Sequence, residues 1–158
     1  MIMKKKLARA IVYGLMCTGV FSGSAYADSN DITLDIDDST TSLEVTDDYF
    51  YGASDGYLIR ISGSNNKNIN FKSGQSDNSI VLGVYESNTN GILNLSSGTT
   101  TISSNGQIQI SDISSASNTK AISNRAGKLV FNNDVYADCA VENETGAELN
   151  FKATLNIN

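Results

Sequence analysis

A loose internal repeat limits the folds open to this chain of 158 residues more than any other feature. Ala121, Asn124 and Gly127 come back as Ala140, Asn143 and Gly146, each 19 residues further on. Asn124-Arg125-Ala126-Gly127-Lys128-Leu129-Val130-Phe131 and Asn143-Glu144-Thr145-Gly146-Ala147-Glu148-Leu149-Asn150-Phe151 share one plan, an Asn/Gly turn followed by a short apolar-alternating strand. Earlier copies read Asn88-Thr89-Asn90-Gly91-Ile92-Leu93-Asn94-Leu95 and Asn105-Gly106-Gln107-Ile108-Gln109-Ile110. The apolar positions of the last copy are shifted by one, as a bulge allows. A unit of about 20 residues made only of short strands and turns cannot bury a core alone, whereas stacked units can. The expected fold is therefore all-β, a β-solenoid of about six coils forming a rod of roughly 30 Å at the usual inter-strand spacing.

The absence of proline fits, because proline cannot donate to a strand ladder. Asparagine suits the turns, since it tolerates the left-handed region and bonds its own backbone. Stacked Asn side chains are expected to form ladders along the rod. An antiparallel sandwich would also use short strands and Gly/Asn turns, but it does not require a repeat at 19. The Ser/Asn-rich stretches 62–68, 72–79 and 111–120 are the part of the chain that a disordered reading would claim.

The N-terminus reads as an address. Lys4, Lys5, Lys6 and Arg9 precede the apolar run Ala10–Phe21, and Ala25-Tyr26-Ala27 makes a small-residue cleavage site before Asp28. That three-part pattern is a secretory signal peptide over 1–27, and its apolar run is too short to span a bilayer comfortably. Export is expected, to the cell surface, outer membrane or medium, with no transmembrane segment in the mature chain. Leu15 and Met16 before Cys17 do not match a lipoprotein site. Cleavage removes Cys17 and four basic residues, leaving Cys139 alone and 7 basic against 17 acidic residues, a net charge of -10. No internal disulfide is then possible, and Cys139 reads as a small buried hydrophobe, with an intermolecular bond as the other reading. Nucleic acid is not an expected partner, because no basic stripe meets phosphates.

Residues 28–59 read as acidic N-terminal strands and a cap, and 60–158 as the repeats. Asp31–Asp37 and Thr41–Val45 alternate apolar and polar residues, as half-buried strands do. Asp37-Asp38 and Asp47-Asp48 offer oxygen to a hard cation, but adjacent acids in one strand point to opposite faces. The main reading is solvated edge carboxylates. Tyr49-Phe50-Tyr51 and Tyr57 form an aromatic cluster that fits a core plug, or alternatively a surface that stacks on sugars.

The segments Ala121–Phe131 and Ala140–Phe151 resemble the passenger region of autotransporters. That resemblance implies a right-handed parallel β-helix carried to the cell surface by a C-terminal membrane barrel, with adhesion or aggregation as its role. Asp77-Asn78-Ser79-Ile80-Val81-Leu82-Gly83 is similar to the short repeats of trimeric autotransporter heads. The sequence contains no translocator barrel, so the expectation is a passenger fragment or a small free-standing solenoid. A host surface, a glycan or self-association are the partners the resemblance implies.

Little here points to catalysis. With no histidine, no serine nucleophile has its base. A lyase or hydrolase on a β-helix would need convergent carboxylates beside Arg60 or Arg125; Asp138, Glu142 and Glu144 are the candidates. Asn94-Leu95-Ser96 and Asn143-Glu144-Thr145 match the N-glycosylation acceptor pattern. The reading is a non-catalytic exported surface protein with no catalytic, metal or cofactor residues, and with a self-assembling fibre subunit as the alternative.

Overall fold

A computed structural model describes residues 33–46, 49–51, 56–74, 79–84, 86–112, 115 and 117–158. The segment 1–27 and Asp47-Asp48 lie outside the described residues, as do Asp77 and Asn78 of the head-like repeat. Among the described residues fifteen short strands are arranged in three parallel sheets of five. Sheet A stacks β1 (Leu34–Ile36), β4 (Tyr57–Ile61), β7 (Asn90–Asn94), β10 (Lys120–Asn124) and β13 (Ala140–Asn143). Sheet B stacks β2 (Ser42–Val45), β5 (Lys67–Phe71), β8 (Thr99–Ser104), β11 (Lys128–Phe131) and β14 (Glu148–Phe151). Sheet C stacks β3 (Tyr49–Tyr51), β6 (Ile80–Val84), β9 (Ile108–Asp112), β12 (Val135–Ala137) and β15 (Leu155–Ile157).

Each strand pairs with the one three places on, so every crossover between parallel neighbours consists of one strand from each of the other two sheets. This is the strand arrangement of a parallel β-helix, as the repeat predicts, and the antiparallel sandwich is set aside. The described strands make five coils, not about six. The period near 20 holds only for the last of them. Asn124 pairs with Asn143, 19 residues on, and Phe131 with Phe151, 20 on. Lower down, Ile59 pairs with Ile92 and Ile69 with Ile102, each 33 on. Longer corners consume the extra residues, which is why a fixed period overcounts the coils.

Register also corrects the earliest repeat copies. The residue stacked on Asn124 is Asn94, so the equivalent turn is Asn94–Gly98; Gly91 lies inside β7. Asn105-Gly106 turns the corner from sheet B to sheet C rather than from A to B. The shift by one in the last copy is taken up in a turn, because Ala147 donates to the Glu144 carbonyl and Leu149 still pairs with Leu129. The irregularity that does occur in a strand lies between Lys120 and Ile122. At the other end, β1–β3 form the first coil of the same stack, and the division between residues 59 and 60 falls inside β4.

Inward rows carry the core. Leu43, Ile69, Ile102, Phe131 and Phe151 stack in one file, and the rings of Phe131 and Phe151 lie 5.1 Å apart at 8°. Ile59, Ile92 and Ile122 make a second file, and Ile80, Ile108, Val135 and Leu155 a third. β-Branched side chains suit such files, because they pack on like neighbours at each step with little rotamer entropy to lose. A neighbouring file runs Lys67, Thr100, Leu129, Leu149. Thr100 is fully buried and its Oγ1 has no hydrogen-bond partner. Thr100→Val removes that unsatisfied hydroxyl at nearly constant volume. It is expected to raise unfolding free energy by about 1 kcal/mol, read from the urea midpoint.

Candidate functional site

The densest polar constellation lies where sheet A turns into sheet B. Asn94, Asn124 and Asn143 occupy the same register position on successive coils. Asn94 Nδ2 donates to Asn124 Oδ1 and Asn124 Nδ2 to Asn143 Oδ1, both at 2.7 Å. Their second amide protons go to the backbone carbonyls of Ala126, in the turn, and Glu148, at the start of β14, at 2.9 and 3.0 Å. Asn143 instead donates to its own turn, at the Ala147 carbonyl. Asn94 and Asn124 are fully buried. A second, exposed step joins Asn118 Nδ2 to Asn88 Oδ1, two residues with positive φ at the corner from sheet C to sheet A. The expected Asn ladder is thus present, and it binds coil to coil. In the folded chain the Asn94 amide of the glycosylation pattern is buried in this ladder.

Below this ladder the same corner contains a buried lysine. Lys67 is 1% exposed, yet its Nζ lies 2.9 Å from Asp38 Oδ1 and 3.1 Å from the Asn65 carbonyl. Asp38 also accepts from the backbone amides of Ser64 and Asn65. The Asn65 amide, followed by Lys67 and the Ser64 amide, holds the Asp38 carboxyl far below the usual carboxylate range. Asp37 accepts from the Ser39 hydroxyl and amide, which lowers its pKa as well. The two acids that composition offers to a cation are thus turned toward N–H and O–H donors. A signal for Lys67 exists in the sequence. In Lys67-Asn68-Ile69-Asn70-Phe71, strict alternation puts Lys67 on the face of Ile69 and Phe71.

This pair gives a pH-dependent prediction. The folded pKa of Asp38 lies below its unfolded value near 3.8, so its contribution is complete above that value and fades as pH falls toward the folded one. Acid should therefore lower the melting temperature of the native protein below about pH 4. Asp38→Asn should lower it at neutral pH and flatten the acid limb, because Lys67 is left buried without its counter-charge. Lys67→Met in the Asp38→Asn background should restore much of the loss, measured by circular dichroism melts.

The candidate catalytic residues do not converge. Glu142 bonds Lys120 Nζ at 2.5 Å, and Glu144 lies beyond the end of β13, 3.4 Å from Arg125 Nε. Asp138 accepts from the Asp112 amide at the corner between sheets C and A, whereas Arg125 follows β10 at the corner between A and B. They sit at opposite ends of sheet A. Arg60 pairs with Asp35 at 2.8 Å and lies 4.7 Å from the centre of the Tyr57 ring. Tyr57 belongs to sheet A and Tyr49–Tyr51 to sheet C. Cys139 is half-buried against the core. Burial, and then the Asp138 charge, push its thiol up to about 11, so little thiolate exists at neutral pH.

Geometry thus defines a class, a three-sheet parallel β coil cross-tied by asparagines and ion pairs. Comparison with protein-family models, curated proteins and solved structures finds no match. Among the described residues no helix is long and apolar enough to cross a membrane, and no group of three or more Cys, Asp or Glu is placed to hold a metal ion.

Proposed function

We propose that this chain is a non-catalytic exported surface protein of the autotransporter-passenger kind, whose coils serve as a rigid stalk or display surface. One observation carries the reading: the charged side chains that a β-helical enzyme would gather on one face are spent in pairs between coils. Arg60 with Asp35, Lys72 with Glu44, Lys120 with Glu142 and Lys128 with Glu148 each join strands or strand ends of neighbouring coils. The signal-peptide pattern over 1–27 and the autotransporter-like segments 121–131 and 140–151 support the same conclusion.

The test is to join an autotransporter barrel after Asn158 and express the fusion in a Gram-negative cell. The expected result is a mature N-terminus at Asp28 by mass spectrometry, with the chain accessible to protease added to intact cells. Retention of Met1 in the cytoplasm would refute export. A processed chain that stays in the periplasm would refute the passenger reading.

A further inference from the structure

The outer faces of the three sheets differ in charge. Sheet A presents Asp35, Arg60, Lys120 and Glu142, and sheet B presents Glu44, Lys128 and Glu148. The ion pairs described above lie on these two sheets, at their strand ends or at the corner between them. Sheet C is unlike them. Ile80, Leu82, Ile108, Ile110 and Val135 are buried in the core. Alternation therefore sets Val81, Gln109 and Tyr136 outward in one file, and Gly83 and Ser111 in the next. None of these five carries a charge, although acids outnumber bases 17 to 7 after Ala27. Tyr49 and Tyr51 hold the matching register positions in the first coil. Tyr136 is 37% exposed, Gln109 is exposed and Val81 is partly so. Gln109 Nε2 donates to Ser111 Oγ at 3.2 Å, which holds the amide on this face.

We infer that the outer face of sheet C binds an uncharged polysaccharide, laid along the file so that successive sugars meet successive coils. A sugar ring is apolar on its C–H face and carries hydroxyls at its edge. Tyr136 and Val81 supply surface for the first. The Gln109 amide and the Ser111 hydroxyl, each both donor and acceptor, supply partners for the second. Coils follow one another at about 4.8 Å, a step comparable to one sugar in an extended chain. This ligand class deepens the display-surface reading and rests on it.

Other occupants fit less well. Strands of three to five residues make the face only about 10–16 Å wide. A standard protein interface takes about 800 Å² from each partner, a patch roughly 28 Å across. A strip this narrow seats a single extended chain. Carboxylates flank it on both sides. Asp134 stands at the corner from sheet B, and Asp112 and Asp138 at the corner to sheet A. Asp134 and Asp138 accept from the backbone amides of Thr154 and Asp112, so they are held beside the strip. Their charge opposes an acidic polysaccharide. It equally opposes a second copy of this face, whose own acids would meet them.

Depletion of the purified protein from solution by polysaccharide particles tests this, with cellulose, mannan and starch as uncharged probes and a polygalacturonate gel as the acidic one. At least one uncharged polymer should remove the protein, and polygalacturonate should not. Binding should persist at about 0.5 M salt, because no charge is there to be screened. Tyr136→Ala, and separately Gln109→Glu, should weaken it by at least about tenfold with an unchanged circular dichroism spectrum. Asn68→Ala, on the exposed face of sheet B, should leave it unchanged. No depletion by any of the three neutral polymers, equal depletion by polygalacturonate, loss of binding in salt, or a Tyr136→Ala variant that binds like the native chain would each overturn the proposal. The purified chain is assayed apart from any cell, so a failure here is distinct from a failure of export.

Discussion

Asn124→Ala is expected to lower the unfolding free energy by about 3 kcal/mol, while Asn143→Ala lowers it by less than about 1 kcal/mol. The two residues look equivalent in the repeat. Their surroundings differ. Asn124 is fully buried and makes three side-chain hydrogen bonds, one from Asn94, one to Asn143 Oδ1 and one to the Glu148 carbonyl. Truncation leaves a fully buried Asn94 amide proton without its partner, which costs more than the bond itself. Asn143 is exposed, so solvent takes over both its donor to the Ala147 carbonyl and the acceptor its Oδ1 offers to Asn124. Urea denaturation of the two variants reads the difference. Equal losses would show that the ladder acts locally in each turn, and not as a tie between coils.

Gly127→Ala should be about as costly, at roughly 3 kcal/mol, and for a different reason. Gly127 adopts φ +53, a left-handed backbone in which a side chain is strained. A Cβ there would also lie 2.4 Å from the carbonyl oxygens of Ser96 and Gly98 on the coil below. Those oxygens belong to backbone and cannot turn aside. The corner would have to open, with loss of the bond from the Lys128 amide to the Gly98 carbonyl. Gly146 makes the control. It has φ +89 but nothing within 4 Å of its Cβ position, so Gly146→Ala carries only the left-handed penalty, about 1 kcal/mol. A loss at Gly127 no larger than at Gly146 would mean the coils are not in close contact at this corner.

Both effects arise at one corner, and the contrast within each pair is positional. Coils in such a stack contact only their neighbours, so an interior coil is held from both sides and the outermost from one. The core shows the same gradient, with Phe131 fully buried and Phe151 partly exposed above it.

Much of this was legible in the chain itself. Alternation in Lys67–Phe71 and Leu129–Phe131, Asn and Gly at the turns, and landmarks 19 residues apart are enough to specify stacked short strands, because side-chain period and turn chemistry are local properties. The basic and apolar pattern over 1–27 and the acidic balance of the residues after it are likewise written in residue order. Coil number and register were not. Where the corners lengthen, nothing local says which Asn stacks on which, and the true partner of Asn124 proved to be Asn94, with Gly91 inside a strand. Two charged residues 29 positions apart, Asp38 and Lys67, meet only because the first corner is stacked beneath the second. Glu142 and Glu144, close in sequence, are drawn apart to separate bases on the coil below. The sequence alone thus determined that the chain coils into short parallel strands. Tertiary structure decided which residues stand above one another, because that depends on corner lengths summed over a whole turn and on backbone contacts between coils.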